Sequence, residues 1–235
     1  MRATVVIPAR IGSTRLERKL LKPLLGETVL RRTIMACLAV DDIDIVVVTD
    51  SDEIMSSVVD LGCRMILTGN HKSGTERIAS ILDQIETDII INVQGDEPLL
   101  DPNDLSKLIS VTGFNKGVTS MYRKLEEDEL LDSNTVKVFV KYSEACMFTR
   151  SPLFVKMDDC YKHIGIYGFH RKDLYTISKM TATDSSKANS LEQLSWMENG
   201  IPVHMMYTEK RYISIDTESD LVKAEIVLKH YENLH

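Results

Sequence analysis

The first hundred residues alternate three times between short strand-like runs and segments with helical periodicity. Runs rich in valine and isoleucine occupy residues 3–8, 43–49 and 88–93. The third has apolar residues on both faces, as the central strand of a parallel sheet does. Apolar residues recur at helical spacing between them, over residues 28–39 and again over 78–85. This alternation predicts an α/β fold with three α/β/α layers and a mostly parallel, mixed sheet.

The second half of the chain has a different pattern, with fewer helices and more strands. Strand-like runs fall at residues 118–123, 135–141, 145–149, 164–169 and 203–207. Short helices are predicted at 102–110, 171–179 and 190–198, and a last one at 218–231. No linker is long enough to separate domains, so we expect one domain over residues 1–235. Its core comprises residues 1–116 and 211–235, and residues 117–210 form a strand-rich subdomain.

Charge is distributed unevenly along the chain. The whole protein has a net charge of −7, yet its first 32 residues hold eight basic and only two acidic residues. An acidic body argues against general nucleic-acid binding, and a basic N-terminal segment favours a local site for a small polyanion. No apolar run approaches the ~20 residues of a membrane span. The N-terminus is unlike a secretory signal, so we expect no membrane partner and a cytoplasmic location.

Three polar loops follow the strands of the predicted parallel sheet, at residues 8–19, 49–50 and 94–98. Ligands of open α/β sheets bind beyond the carboxyl ends of the strands, so these loops should meet at one edge. The first loop supplies several cations, and the third supplies Asp96. Cations that hold phosphates, facing a carboxylate that holds Mg²⁺, are the minimum equipment for transfer from a nucleoside triphosphate.

Plainer interpretations of these loops stay open at this point. A solvated loop would also account for Gly12 and Ser13, and Gly-Asp-Glu-Pro at residues 95–98 is also turn chemistry. The chain has neither a P-loop motif nor a Gly-x-Gly-x-x-Gly motif after its first strand, which argues against those two nucleotide-binding classes.

Eight motifs occur in series along the chain. The first is Ile7-Pro8-Ala9-Arg10-Ile11-Gly12-Ser13-Thr14-Arg15-Leu16, and the most distinctive is Asn92-Val93-Gln94-Gly95-Asp96-Glu97-Pro98. The other six lie at residues 71–77, 134–138, 148–154, 163–169, 191–194 and 215–221. In order and approximate spacing the series resembles the cytidylyltransferases that activate 3-deoxy-manno-octulosonate (Kdo), the CMP-Kdo synthetase family.

The resemblance implies a nucleotide-sugar pyrophosphorylase-like fold and a reaction. CTP and Kdo would give CMP-Kdo and pyrophosphate, for bacterial lipopolysaccharide or capsule synthesis, on a Mg²⁺-dependent homodimer. It implies that Arg10, Arg15 and Lys19 hold the triphosphate and act in catalysis together with Asp96. Asp96 and Asp216 would hold Mg²⁺. Nucleotide contacts would come from Ala9, Arg10, Ser13, Lys19, Ser73 and Arg77, and sugar contacts from Gln94, His163, Tyr167 and Glu192.

Each of these assignments has a simpler alternative. Asp216 precedes a helix, a place that acids favour anyway. His163 would also fit as a strand histidine satisfied by a neighbour, and Glu192 as part of a solvated helix face. Arg77 would also fit as the partner of an adjacent acid.

Three departures from the family pattern concern the acceptor sugar more than the nucleotide. Glu17-Arg18 replaces the usual Pro-Gly before Lys19, and the segment at residues 151–162 is shorter than is typical. In the helix motif, Asn189 and Ser195 stand where the family usually has an acid and an arginine. The alternatives are therefore 8-amino-Kdo, a sialic-type nonulosonate, or a non-catalytic nucleotide- or sugar-binding regulator. The regulator predicts loss of the metal or phosphate ligands, which this chain retains.

Overall fold

The computed structural model describes residues 2–13, 15–71, 73–152 and 160–232. The chain divides into two compact units, the first formed by Met1–Ser106 with Arg211–His235 and the second by Lys107–Lys210. The sequence analysis placed the first boundary at residue 116. The structure places it ten residues earlier, inside a helix that runs from Pro102 to Phe114.

The first unit contains a sheet of four parallel strands. Its long strands are β1 (Ala3–Ala9), β4 (Ile43–Thr49), β5 (Arg64–Leu67) and β6 (Ile89–Asn92), in the order β5-β4-β1-β6. Two short strands, β2 (Pro23–Leu24) and β3 (Glu27–Thr28), pair separately. Every residue of β1 is buried, because valine, isoleucine and alanine cover both of its faces and a parallel strand lies on each side of it.

The helices of the first unit begin at side-chain caps. They are α1 (Val29–Leu38), α2 (Asp52–Val58), α3 (Gly74–Ala79) and α9 (Glu218–Glu232), and α4 (Pro102–Phe114) runs on into the second unit. Thr28, Ser51 and Ser73 each accept a backbone N–H at the start of a helix. The helix predicted over 78–85 was misplaced. The cap at Ser73 starts α3 at Gly74, and the helix ends at Ala79.

Outside residues 153–159, the second unit contains five strands, and the last strand in the order also pairs with the first. They are β7 (Val118–Lys124), β8 (Lys137–Lys141), β9 (Glu144–Thr149), β10 (Tyr161–His170) and β11 (Val203–Tyr207). Their order is β10-β7-β11-β9-β8, and β8 also pairs with β10. Only the pair β7–β11 is parallel among these. The predicted α/β fold with a mixed sheet is therefore confirmed, and its parallel part lies mainly in the first unit.

Four short helices lie in the described residues of the second unit. They are α5 (Glu127–Leu130), α6 (Arg171–Ser178), α7 (Asp184–Asn189) and α8 (Glu192–Glu198). The sequence analysis predicted one helix over 190–198 and missed α5 and α7. Ser190 has a φ of 51°, in the left-handed region, and this single residue separates α7 from the segment that leads into α8. Within the described part of the chain, no helix is long and apolar enough to cross a membrane.

Candidate active site

The loops that follow β1, β4 and β6 leave the same edge of the parallel sheet. Ala9, the last residue of β1, lies in register with Thr49, the last residue of β4. Asn92, the last residue of β6, lies in register with Val6. The predicted convergence of the three polar loops at one edge is therefore confirmed.

Lys19 is the centre of a charged cluster at this edge. Its ammonium group donates to Asp96 Oδ2 and, at 2.8 Å, to Asp216 Oδ1. Arg15 Nη2 donates to the other oxygen of Asp216 at 2.9 Å. The side chains of Lys19 and Asp96 are only 17% and 18% exposed. Burial disfavours the charged form of Lys19, but the two carboxylates outweigh it and raise the pKa of this lysine. Four residues predicted from the sequence thus come together.

Backbone and capping interactions hold Asp216 close to Asp96. The N–H of Ile215 donates to the carbonyl oxygen of Asp96 at 2.9 Å. The carboxylate of Asp220 accepts the N–H groups of Asp216 and Thr217, at 3.1 and 2.8 Å, just before α9. The hydroxyl of Thr217 in turn accepts the N–H of Asp220 at 3.3 Å, which confirms the capping box. The carboxylates of Asp96 and Asp216, which are far apart in sequence, therefore lie close together.

The loop that carries Arg10, Arg15 and Lys19 is held by its own small side chains. The hydroxyl of Ser13 donates to the carbonyl oxygen of Leu16 and accepts the N–H of Lys19 at 3.4 Å. Arg10 and Arg15 are exposed, and Lys19 lies half-buried at the start of a single 3₁₀ turn. Arg10 is therefore exposed, Arg15 is exposed but contacts Asp216, and Lys19 contacts both carboxylates.

Arg18 occupies a conformation that usually belongs to glycine. Its φ is 53° and its ψ 35°, and its guanidinium group pairs with Glu53 on α2. The backbone therefore keeps the left-handed bend at the position where the family pattern has glycine, although the side chain is an arginine.

We expect the usual preference for alanine over glycine to be reversed at Arg18. Both Arg18→Gly and Arg18→Ala lose the exposed ion pair, but only glycine relieves the left-handed strain of about 1 kcal/mol. Arg18→Gly should therefore be more stable than Arg18→Ala by about 1 kcal/mol in urea denaturation. Lys22, with a φ of −64°, is the matched control, and there the alanine variant should be the more stable one. An alanine variant at Arg18 as stable as the glycine variant would contradict this interpretation.

A cavity of about 140 Å³ lies beside the charged cluster, at the carboxyl end of β1. Its lining includes five residues predicted to contact nucleotide or sugar, together with three others. The lining residues are Pro8, Ala9, Arg10, His71, Ser73, Gly74, Arg77 and Gln94. Residues from β1, the start of α3 and the loop after β6 thus enclose one concave space in the first unit.

Arg77 is paired with an acid and also lines the cavity. Its guanidinium group donates to Asp50 at 2.6 Å and to the hydroxyl of Thr68 at 2.6 Å, and the residue is only 4% exposed. It is therefore the partner of a neighbouring acid, as the simpler alternative held, and it also lines the cavity. Whether it touches nucleotide stays a prediction. Ser73 caps α3 through the N–H of Glu76, at 3.1 Å, and likewise lines the cavity.

Gln94 is held in place by a neighbour that the sequence analysis assigned no role. Its Nε2 donates to Asn92 Oδ1 at 3.0 Å, and its carbonyl oxygen is the acceptor of the amide. A Cβ atom on Gly74 would lie 3.0 Å from that Nε2. Asn92 itself is fully buried, and within the described residues its Nδ2 has no hydrogen-bond partner. A polar residue ending an otherwise apolar strand was the available signal for Asn92.

The other predicted sugar residues lie in the second unit. His163 is 6% exposed, and its Nε2 lies 2.9 Å from the hydroxyl of Ser120. Burial lowers the pKa of His163 to about 3, so the ring is neutral at physiological pH. Tyr167 is also 6% exposed and packs edge-on against Trp196, with ring centroids 5.1 Å apart. A sugar contact of either residue stays a prediction.

The helix that carries Glu192 is more buried than a solvated face would be. Glu192 is half-buried in the first turn of α8, and Gln193 is only 3% exposed. Ser195, which replaces the family's arginine, accepts the N–H of Thr183 at 3.0 Å. Ser195 is therefore part of the packing between α7 and α8. The departure at residues 151–162 falls largely on 153–159, which lie outside the described residues, as do Thr14, Lys72 and Phe154 of the motifs.

The carboxylates of Asp96 and Asp216 suit Mg²⁺, both in their chemistry and in lying close together. Within the described part of the chain no group of three or more acidic, histidine or cysteine residues forms a metal cluster. Mg²⁺ does not need one, because it is usually held by one or two carboxylates plus substrate phosphates. The two carboxylates already converge on a single cation, the ammonium group of Lys19.

Comparison with known proteins identifies the family of this chain. A family model described as cytidylyltransferase matches residues 4–229. The 3-deoxy-manno-octulosonate cytidylyltransferase of Christiangramia forsetii is 35% identical over 240 residues, covering 97% of each chain. The solved structure of a CMP:2-keto-3-deoxy-manno-octonic acid synthetase complexed with CTP matches with a TM-score of 0.90 and 31% identity, over 98% of this chain and 100% of that one.

A more distant solved structure shares the fold alone. A putative glucose-1-phosphate thymidylyltransferase from Bacillus anthracis matches with a TM-score of 0.72 and 14% identity, over 96% of this chain and 94% of that one. The fold is thus that of nucleotide-sugar transferases, and the protein is a nucleotidyltransferase enzyme. Within that class, the chain belongs to the 3-deoxy-manno-octulosonate branch of the cytidylyltransferase family.

Proposed function

We propose that this enzyme transfers CMP from CTP to the anomeric hydroxyl of Kdo, releasing pyrophosphate, for the synthesis of bacterial lipopolysaccharide or capsule. The observation that carries the proposal is the convergence of Lys19, Arg15, Asp96 and Asp216 at the carboxyl edge of the parallel sheet. The relatives named for this reaction, and the CTP in one neighbouring structure, support it.

The reaction is an in-line displacement at phosphorus. The oxygen of the C2 hydroxyl of the sugar attacks the α-phosphorus of CTP, the bond to the bridging oxygen of the β-phosphate breaks, and pyrophosphate leaves with its electron pair. The hydroxyl proton is released as the new ester bond forms. Such a reaction needs positioning and neutralisation of charge more than a covalent nucleophile. Arg10, Arg15 and Lys19 supply that neutralisation from one loop.

Mg²⁺ would be held by Asp96 and Asp216. Bound there, it would neutralise phosphate oxygens and lower the pKa of a coordinated hydroxyl. The protein contributes by bringing two carboxylates from distant segments close together. The N–H of Ile215 helps to hold them there by donating to the carbonyl oxygen of Asp96 at 2.9 Å.

The nucleoside would bind in the cavity beside the charged cluster. Ala9 and Ser73 both line it, and the hydroxyl of Ser13 holds the loop at Lys19. Arg77, held by Asp50 and Thr68, gives the cavity a rigid side. We propose that cytidine is recognised here by backbone groups and by short polar side chains.

The acceptor is proposed to contact Gln94, His163, Tyr167 and Glu192. The carbonyl oxygen of Gln94 accepts hydrogen bonds and therefore suits a sugar hydroxyl, which donates one. Tyr167 and neutral His163 offer ring surface rather than charge. We further propose, from the resemblance, that the enzyme works in the cytoplasm as a homodimer.

The acceptor site can be tested separately from the nucleotide site. Gln94→Ala should raise the KM of Kdo by about tenfold and leave the KM of CTP within about twofold, because only one hydrogen bond to the sugar is lost. The matched control is Gln84→Ala, an exposed glutamine away from the cavity, which should change neither KM. A larger rise in the KM of CTP than of Kdo would refute the assignment.

The identity of the sugar is tested by comparing acceptors in parallel. Pyrophosphate release from CTP and Mg²⁺ is measured with Kdo, 8-amino-Kdo and a sialic acid, and Kdo should give the highest kcat/KM. A higher value for either of the others would change the substrate but keep the reaction. Binding of CTP with no release for any acceptor would favour the non-catalytic regulator.

A further inference from the structure

Lys19 already fills the position where the proposed metal would bind. Its ammonium group contacts one oxygen of Asp96 and one oxygen of Asp216, the second at 2.8 Å. Arg15 takes the remaining oxygen of Asp216 at 2.9 Å. The two carboxylates are therefore matched by two cations.

A divalent cation cannot join this arrangement without a rearrangement. Mg²⁺ requires carboxylate oxygens at about 2.0–2.1 Å, and an ammonium group on the same oxygens would be a like charge in direct contact. Lys19 and Asp96 are mostly shielded from solvent, so water screens that repulsion poorly. The metal can enter only if Lys19 leaves the carboxylates for another anion.

A triphosphate supplies that other anion. Lys19 begins a single 3₁₀ turn, and its four-carbon side chain can swing while its backbone N–H stays bound to Ser13. The neighbouring cations Arg18 and Lys22 do not compete with Lys19 for the triphosphate, because each already has a partner. Arg18 pairs with Glu53, and Lys22 pairs with Glu218 at 3.0 Å. The cations that can exchange their carboxylate partners for the triphosphate are therefore Lys19 and Arg15.

We propose that Lys19 is a placeholder for the metal: it neutralises Asp96 and Asp216 until a triphosphate draws it away, so that Mg²⁺ binds only together with the nucleotide. This inference rests on the proposed function. It gives Lys19 a second role as a positioning residue, which excludes metal that is not accompanied by nucleotide and keeps the carboxylates together. Lys19 thereby couples the binding of nucleotide to the binding of metal.

The test measures metal binding without nucleotide. Mn²⁺ replaces Mg²⁺, and free Mn²⁺ is followed by its paramagnetic resonance signal during titration with protein. The wild type should bind Mn²⁺ weakly, and Lys19→Met, which removes the charge but keeps the length, should bind it at least about tenfold more tightly. Lys22→Met is the matched control and should bind Mn²⁺ like the wild type. Equal affinity of the wild type and Lys19→Met would overturn the inference.

Two further measurements separate the placeholder role from misfolding of the variant and from an error in the proposed function. Lys19→Arg keeps the charge and should exclude Mn²⁺ as the wild type does; metal binding by this variant without nucleotide would count against the placeholder role. Separately, Mg²⁺ with CTP should raise the Tm of the wild type, whereas Mg²⁺ alone should not. A wild type that Mg²⁺ with CTP does not stabilise would refute the proposed function itself, whatever the Mn²⁺ titration shows.

Discussion

Asp96→Asn is expected to lower the turnover of CTP by about two to four orders of magnitude, because it removes one of the two charges proposed to hold Mg²⁺. The change preserves the shape of the side chain, and Lys19 keeps Asp216 as a partner. The Tm without ligand should therefore move little, while kcat falls. Steady-state rates of pyrophosphate release measure the effect.

The control for this prediction is an aspartate outside the site. Asp52→Asn lies in the exposed first turn of α2 and should leave kcat unchanged. If Asp96→Asn retained turnover within about tenfold of the wild type, the assignment of Asp96 to the metal would be wrong.

Gly168→Ala is expected to destabilise the protein by about 3 kcal/mol, because the second unit has no room for a methyl group there. A Cβ atom at this position would lie 2.0 Å from the hydroxyl oxygen and 3.0 Å from the Cβ of Thr112. Thr112 is 1% exposed, and its hydroxyl donates to the carbonyl oxygen of Leu108 at 2.7 Å, so it cannot move aside easily. Urea denaturation should show a lower midpoint at an unchanged slope.

Gly165 is the matched control on the same strand, β10. A Cβ atom at Gly165 would have no neighbour within 4 Å, so Gly165→Ala should change stability by less than about 0.5 kcal/mol. The double variant Gly168→Ala/Thr112→Ala should recover part of the loss. Equal losses for the two single glycine variants would show that the contact with Thr112 is not the cause.

The parallel half of the fold could be predicted because its signal is local. The run Ile43–Thr49 is a strand with the bounds that the sequence indicated, since consecutive β-branched residues favour a doubly buried strand. The register of β1 with β4 and β6 then brings three strand-end loops to one edge. The convergence of Lys19 and Asp96 therefore follows from the topology of the sheet.

Other features depended on interactions that a sequence does not display. The start of α3 was set by the cap at Ser73, and the break between α7 and α8 by the left-handed Ser190. The contact of Lys19 with Asp216 joins residues 197 positions apart, and no spacing rule reports it. Asn92 was assigned no role, because the sequence shows it only as one polar residue at the end of an apolar strand.

Cytidylyl transfer from CTP to Kdo can be followed directly by phosphorus-31 nuclear magnetic resonance. The purified enzyme is incubated with CTP, Kdo and Mg²⁺, and the spectrum is recorded over time. The three CTP resonances should give way to one phosphodiester resonance, from CMP-Kdo, and to pyrophosphate in equal molar amount. Unchanged CTP, or its conversion to CDP and inorganic phosphate, would show that the enzyme does not transfer CMP to Kdo.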